Sequence, residues 1–347
     1  MVVDDSSAIR RLVSTALATD PGIQVIGTAS NGRAALDQLD ALNPDLVTLD
    51  IEMPELDGLA TLTELRRRRP RLPVIMVSSL TRKGAIETLE ALGRGASDYV
   101  AKPDGPEAAR RFAEVLCPRV RALCGPRLAP TATPRPPARL APLAGIDRVR
   151  LLVIGASTGG PDAIAQVLRG LGPSPVPVAI VQHMPPVFTA MFAERLSANL
   201  RTRVTEATDG APLPPGAIVV APGDHHLAVE ARDGGFVARV TRGPHVNSCR
   251  PAVDVLFASA AEVARGGAVG VILTGLGRDG CAGAQRLVDL GGTMIAQDEA
   301  SSVVWGMPGA VVRAGLAHRI VPLSEVASTV LARFASTAAP APLRRVR

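Results

Sequence analysis

The chain repeats one pattern that severely limits its fold: a short apolar run suited to a fully buried strand, ending abruptly in residues that carry chemistry. Its most informative instance is LLVIGASTGGP at residues 151–161. Leu151-Leu152-Val153-Ile154 reads as a buried strand, while Pro161 and Asp162 stand where a helix first turn favours proline and an acid. Ser157 therefore falls on a strand-to-helix turn. Gly155-Ala156-Ser157-Thr158-Gly159 fits the G-x-S-x-G pattern, whose small neighbours let a sharp turn expose the hydroxyl. Taken alone, the loop equally permits a glycine-rich seat for a dinucleotide pyrophosphate at a helix N-terminus.

Two further strands decide between these readings. Residues 176–181 form an apolar run ending in Gln182-His183-Met184, and residues 268–273 form another, ending in Thr274-Gly275-Leu276-Gly277-Arg278-Asp279-Gly280. The carboxyl ends of parallel strands share one sheet edge, so Ser157, His183 and Asp279 converge there although 122 residues separate the first from the last. A serine hydroxyl becomes a nucleophile when an imidazole takes its proton, and a carboxylate fixes that imidazole's tautomer and stabilises its charged form. The helix N-terminus after Ser157 offers backbone N–H groups to a developing oxyanion. Singly, His183 reads as a structural histidine and Asp279 as a helix cap; together with Ser157 they point to catalysis. The order Ser, His, Asp differs from the Ser, Asp, His order of α/β-hydrolases. The dinucleotide reading lacks its acidic ribose partner, because the neighbourhood about 20 positions on is residues 173–178, which hold no acid.

The 347 residues suffice for two domains with cores of their own, and a proline-rich stretch divides them. Residues 118–142 hold seven prolines and little apolar periodicity, as a semi-extended linker does. We expect a domain over 1–117, a Pro/Arg-rich linker over 118–146, a second domain over 147–335 and a frayed tail over 336–347. The net charge of +6 belongs mainly to linker and tail: removing the five arginines between Glu114 and Asp147 (119, 121, 127, 135 and 139) and the four after Glu325 (333, 344, 345 and 347) leaves −3. With aromatics at only 2%, there is little to stack on bases, so no nucleic-acid partner is expected. Arg66-Arg67-Arg68-Arg69 reads as the solvated end of a helix, where cations suit the dipole. Cys117, Cys124, Cys249 and Cys281 show neither zinc-site nor disulfide spacing, so reduced thiols are expected. Without a membrane-length apolar run or a signal-peptide layout, the reading is a cytoplasmic protein with no membrane insertion.

The first domain alternates strand and helix. Strands are expected at 2–3, 23–29, 46–49, 74–77 and 98–101, with helices near 6–19, 31–42, 57–69, 83–94 and 105–116, a small doubly wound α/β fold. Helix 6–19 puts Ile9, Leu12, Val13, Ala16 and Leu17 on one face. Asp4-Asp5, Asp50, Ser78 and Lys102-Pro103 again follow strands. Three carboxylates on one edge repel one another without a cation, and an all-oxygen set suits Mg²⁺. Lys102 and the Ser78 hydroxyl are then placed to contact a phosphoryl group carried on Asp50. The plainer reading is that Asp4, Asp5 and Asp50 cap the helices they precede.

These residues resemble a known family. Val2-Val3-Asp4-Asp5-Ser6, the run from Asp45 to Pro54 with Asp57-Gly58, Val77-Ser78-Ser79 and the run from Gly95 to Pro103 are similar to the receiver domain of two-component response regulators. With G-A-S-T-G-G, Q-H-M, A-P-G-D-H-H, T-G-L-G-R-D-G and the run from Gln297 to Pro308, the chain resembles the chemotaxis protein-glutamate methylesterase (CheB) family across both domains. The resemblance implies a flavodoxin-like receiver with a five-stranded parallel sheet, followed by a doubly wound α/β methylesterase domain. It implies hydrolysis of glutamate γ-methyl esters on methyl-accepting chemotaxis receptors, releasing methanol, and deamidation of receptor glutamines, with no cofactor for the esterase reaction. Ser157 would be nucleophile, His183 base and Asp279 orienting acid, with Thr158 supporting the site. Asp50 would be phosphorylated by a histidine kinase such as CheA. Asp5, Asp50 and the Glu52 carbonyl would bind Mg²⁺, with Asp4 acting through water. The unphosphorylated receiver would cover the catalytic face, and Ser78 and Tyr99 would transmit the two-state shift that releases it.

The chain departs from the family pattern at a few places. Only Val2 and Val3 lie between Met1 and the Asp pair, so either the natural start lies upstream or the first strand is short and the receiver less stable. Cys249 stands where the family usually has histidine, which bears on substrate fit. Leu276 stands where it often has methionine, an apolar exchange that keeps the backbone donor. His225 and His226 are read as structural or rim residues. A response regulator with a DNA-binding output is the competing class, but no helix-turn-helix pattern follows the linker. An inactive scaffold of the same fold is separated from the enzyme only by assay.

Overall fold

The computed structural model describes residues 1–125, 148–200 and 202–336. The chain forms two compact units, with the division inside the stretch read as linker. Most of that linker and nearly all of the expected tail lie outside the described residues.

In the first unit, β1 (Val2–Val3), β2 (Thr28–Ala29), β3 (Val47–Asp50), β4 (Val74–Ser78) and β5 (Asp98–Ala101) form a parallel sheet in the order β2-β1-β3-β4-β5. The helices are α1 (Ser7–Ala18), α2 (Gly32–Leu42), α3 (Gly58–Arg68), α4 (Arg82–Gly93) and α5 (Gly105–Cys124). Val13, Ala16 and Leu17 of α1 are buried against β1, β4 and α5 residues such as Val2, Ile75 and Phe112, while Ile9 and Leu12 pack at the margin. The order places β1 and β3 side by side with opposite onward crossovers, so the crevice at their carboxyl ends is the topological switch point.

Two expected boundaries move. The strand expected over 23–29 is reduced to Thr28–Ala29, because β2 is an edge strand and its neighbour β1 offers only two residues to pair with; Ile23 and Val25 pack against the core outside the ladder. The helix expected to stop near 116 runs to Cys124, through Pro118 where the linker was expected to begin. Leu116, Cys117 and Val120 form one continuous buried face, and that packing outweighs the backbone hydrogen bond lost at proline. Arg66 is also less solvated than expected: its guanidinium folds back to donate to the Arg69 and Pro70 carbonyls beyond the helix end.

The second unit is built on a seven-stranded parallel sheet. Its strands are β6 (Leu151–Ala156), β7 (Val178–Gln182), β8 (Val204–Glu206), β9 (Ile218–Val220), β12 (Ala268–Ile272), β13 (Thr293–Gln297) and β14 (Arg319–Val321), in the order β14-β13-β12-β6-β7-β9-β8. Between β9 and β12 the chain forms an antiparallel hairpin, β10 (His226–Arg232) with β11 (Gly235–Thr241), and then α8 (Val253–Ala264). Helices α6 (Gly160–Leu171), α7 (Phe188–Leu200), α9 (Cys281–Asp289), α10 (Met307–Arg313) and α11 (Leu323–Ser336) complete the unit. β6, β7 and β12 are buried along their whole length, which is why they read in sequence as continuous apolar runs. β6 lies at the centre, with the chain leaving it towards β7 and returning on the other side as β12, a second switch point.

Candidate active site

Ser157, His183 and Thr274 each follow one of three adjacent strands, and the register sets them side by side. Ala156 of β6 is in register with Gln182 of β7, so Ser157 and His183 are the next residues on neighbouring strands. The His183 N–H donates to the Ala156 carbonyl at 3.1 Å, and the Ser157 N–H to the Thr274 carbonyl at 3.0 Å. Gln182 Nε2 donates to the Ser157 carbonyl at 2.9 Å. Gly159, at φ 75°, turns the chain into α6, and a Cβ at Gly160 would lie 2.0 Å from Gln182 Oε1, so only glycine lets the helix start here. Gly275 approaches from the other side: its Cβ would come within 2.9 Å of Ser157 Cβ and 2.3 Å of Met307 Sδ.

His183 Nε2 lies 2.8 Å from Asp279 Oδ2. Asp279 is 2% exposed, and its carboxylate also accepts from Val253 N (2.6 Å), Asp254 N (3.1 Å), Gly280 N (3.0 Å) and Asn247 Nδ2 (3.0 Å). Val253 and Asp254 are the first residues of α8, and the residue before them, Ala252, has no capping side chain. Asp279 therefore caps a helix as well as contacting His183, but the helix capped is α8 and not the α9 that follows in sequence. Burial works against the charged carboxylate, yet the His183 contact and the backbone donors hold its pKa below the ordinary value. Burial also works against a charged His183, but Asp279 and Cys249 outweigh it and raise the imidazole to about 9.

With Nε2 on Asp279, the atom left to take a proton is Nδ1. Its neighbour is Cys249 Sγ at 3.7 Å. No hydrogen bond joins the Ser157 hydroxyl to His183 among the described residues; such bonds commonly tighten only when substrate binds. Thr158 is buried beside Ser157, its carbonyl accepting from Thr274 Oγ1 at 2.9 Å, and Leu276 is half-buried on the loop after β12. His226 is a bracket, as expected: Nε2 donates to the Pro244 carbonyl at 2.8 Å and Nδ1 accepts from Ala252 N at 3.2 Å. His225 bonds the Gly223 carbonyl through Nδ1 at 3.1 Å.

Sequence reasoning did not single out Asn247, Gln297 or Asp224. Asn247 bridges Asp254 and Asp279; Gln297 accepts from Thr274 N at 2.8 Å; Asp224 pairs with Arg250, whose Nη1 also holds the Gly243 carbonyl at 2.8 Å. The loop carrying Asn247 and Cys249 is thereby tied down at both ends. The A-P-G-D motif was the available signal for Asp224, and for Gln297 its place at the end of the buried strand β13; Asn247 lies in a loop with no periodicity to mark it.

The first unit gathers its own polar cluster at the switch point. Carboxylate oxygens of Asp4, Asp5 and Asp50 lie within 4.8 Å of one another. Lys102 Nζ is 2.8 Å from Asp50 Oδ2 and 3.0 Å from Asp4 Oδ2. Burial raises the Asp50 pKa to about 6, with Asp4 adding to the rise and Lys102 opposing it. None of the three caps the helix it precedes: α1 is capped by Ser6 and α3 by Asp57, while Asp4 Oδ1 accepts from Ser6 N and Asp50 Oδ1 from Ile51 N. The Glu52 side chain turns to Lys83, which leaves its carbonyl as the group it could offer the cluster. Ser78 Oγ donates to the Gly84 carbonyl at 3.3 Å, tying β4 to the first turn of α4. Tyr99 is buried, and burial pushes its phenol far above the ordinary range.

Comparison with known proteins matches residues 152–330 to the CheB methylesterase family and residues 1–112 to the response regulator receiver domain. A protein-glutamate methylesterase/protein-glutamine glutaminase of a Nocardioides species is 50% identical over 349 residues, covering 96% of this chain and 95% of the relative. Its namesake in Trichodesmium erythraeum is 42% identical over 347 residues, covering 96% and 98%. Among solved structures, the CheB methylesterase catalytic domain of Thermotoga maritima is 38% identical with a TM-score of 0.52, covering 54% of this chain and 99% of that one.

Proposed function

The chain belongs to the CheB methylesterase family and carries a response regulator receiver domain, and from that premise we propose that it is a phosphorylation-gated hydrolase. Its substrates are glutamate γ-methyl esters, and glutamine side chains, of methyl-accepting chemotaxis receptors. The observation that carries the site assignment is the 2.8 Å contact of His183 Nε2 with buried Asp279, one strand across from Ser157.

The roles follow from that contact. Asp279 holds the Nε2 proton, so the Nδ1 lone pair faces away from it and takes the proton as Ser157 Oγ attacks the ester carbonyl. The imidazolium, stabilised by Asp279, returns the proton to the departing methoxide, and methanol leaves. Water then attacks the acyl-serine by the same proton path, regenerating Ser157 and freeing the glutamate. Backbone N–H groups at the start of α6 and at Leu276 are suited to receive the oxyanion, and Thr158 braces the turn. No step calls on a cofactor.

In the receiver, the all-oxygen donor set fits a hard divalent cation. Asp5, Asp50 and the Glu52 carbonyl would hold Mg²⁺, with Asp4 behind a water, and the ion would neutralise charge on a phosphoryl group arriving at Asp50. Lys102 is within reach of the same oxygens, and Ser78 and Tyr99 are the switch residues that respond to phosphorylation. The phosphodonor is a histidine kinase of the CheA type. No described helix is long and apolar enough to cross a membrane, in keeping with a cytoplasmic enzyme acting on the inner face of its receptors. We divide the chain into a receiver domain over 1–117, a linker over 118–146 and a catalytic domain over 147–335, with the receiver's last helix, α5, running past the first limit to Cys124.

The test is methanol release from methylated receptor, with and without a small phosphodonor and Mg²⁺. Release that requires Ser157, and that the donor raises only when Asp50 is present, is the expected result. No release from any form would refute the esterase assignment.

A further inference from the structure

Cys249 approaches His183 on the ring nitrogen opposite Asp279, with Sγ 3.7 Å from Nδ1 and Nε2 2.8 Å from Asp279 Oδ2. A tetrahedral zinc ion, bound to a thiolate at about 2.3 Å and an imidazole nitrogen at about 2.0–2.1 Å, separates those two donor atoms by roughly 3.6 Å. The observed pair thus has the spacing of two ligands on one ion. Metal-bound histidines characteristically present their other nitrogen to a carboxylate, which fixes tautomer and ring orientation; Asp279 already does so. The donor atoms of His183, Cys249 and Asp279 all fall within 4.8 Å of one another. Their positions are also held: the Asp224–Arg250 pair and the Cys249–Val246 backbone bonds fix the loop, and Asp279 is buried.

We propose that Cys249 Sγ and His183 Nδ1 form an inhibitory site for a thiophilic divalent cation, zinc, with Asp279 as the outer partner on Nε2. Cys249 gives up its proton to solvent as the metal binds, and water fills the remaining positions. The bound ion occupies the lone pair that takes the Ser157 proton, so hydrolysis stops while the fold is unchanged. Hard Mg²⁺ is directed to the oxygen cluster of the receiver and soft zinc to the thiolate site, so the two ions sort between the domains. The binding half of the proposal stands on this geometry; the inhibition half rests on the hydrolase reading above.

The experiment uses the full chain in excess Mg²⁺, comparing wild type with Cys249→Ser, Cys249→Ala and, as a control thiol, Cys281→Ser. Zinc binding is read by competition with a chromophoric chelator, cobalt substitution by the thiolate-to-cobalt charge-transfer band, and inhibition by methanol release relative to each variant's own metal-free rate. We expect the charge-transfer band in wild type and Cys281→Ser and its loss in both Cys249 variants. The zinc concentration for half-inhibition should rise at least about tenfold in the Cys249 variants and stay unchanged in Cys281→Ser. A band or a binding isotherm indifferent to Cys249 overturns the site. Cys249-dependent binding without inhibition overturns the inhibitory role. A Cys249-dependent band in a protein that never releases methanol supports the metal site and refutes the hydrolase reading instead.

Discussion

Replacing Asp279 with asparagine separates the cap that its carboxylate provides to α8 from the orienting role proposed for it at His183. Its two oxygens accept five hydrogen bonds, from His183 Nε2, Val253 N, Asp254 N, Gly280 N and Asn247 Nδ2. An asparagine has one oxygen, which satisfies the Asp254, Gly280 and Asn247 donors. Its amide nitrogen then faces His183 and the buried Val253 N–H. The Val253 donor loses its acceptor, at about 1–3 kcal/mol, and α8 loses the negative charge at its N-terminus, at about 1 kcal/mol. We therefore expect Asp279→Asn to lower unfolding stability by about 2–4 kcal/mol, read as a shift of the urea midpoint at constant slope. The effect on rate is larger: His183 now accepts at Nε2 and carries its proton on Nδ1, the tautomer that cannot take the Ser157 proton. Hydrolysis should fall on the order of 10⁴-fold. The pH profile gives an independent readout. His183 is raised above the ordinary imidazole value by Asp279 and Cys249, and the proposed mechanism requires the neutral ring, so the acid limb of kcat/KM should lie above that value and move down in Asp279→Asn. The depressed Asp279 pKa contributes stability that is present above the ordinary carboxylate value and lost as pH falls below it, so the stability deficit of the variant should close under acid conditions. A loss of rate below tenfold would refute the orienting role, and an unchanged urea midpoint would refute the cap.

Ser157→Ala should abolish methanol release and leave the urea midpoint in place, because Ser157 is anchored by its main-chain bonds to Thr274 and Gln182; residual turnover would overturn the nucleophile assignment. Asp50→Asn should remove the phosphodonor response. Since burial raises Asp50 to about 6, its ionised form opposes folding: that group's contribution is intact below its unfolded value and is lost as pH rises through about 6. The variant should therefore stabilise the metal-free receiver near neutral pH by about 3 kcal/mol, and denaturant titrations from pH 4 to 8 would show the gain growing or, if the reasoning fails, flat. Gly223→Ala places a Cβ 2.2 Å from Pro186 N and 2.3 Å from Pro185 C. The loop that follows His183 must shift, costing about 1–3 kcal/mol and lowering kcat; unaltered kinetics would mean that this loop does not position the histidine.

Much of this was legible in sequence because parallel strands buried on both faces leave an unmistakable mark. The runs at 151–154, 176–181 and 268–273 found β6, β7 and β12 to within two residues, and a parallel sheet sends whatever follows its strands to one edge. Ser157, His183, Asp279 and the Asp4, Asp5, Asp50, Lys102 set could therefore be named before any coordinate. Periodicity says nothing, however, about partners on non-neighbouring elements. That β1 offers β2 only two residues to pair, that α5 keeps a buried face past Pro118, and that Asp279 caps α8 all depend on which elements lie beside one another. Cys249 shows the limit most plainly. It is 66 residues from His183 in a loop without apolar pattern, and only the pinning of that loop by Asp224, Arg250 and His226 brings its sulfur to the imidazole. Sequence encodes what each strand buries and what it ends in; the crossovers and loop anchors decide which of those ends touch.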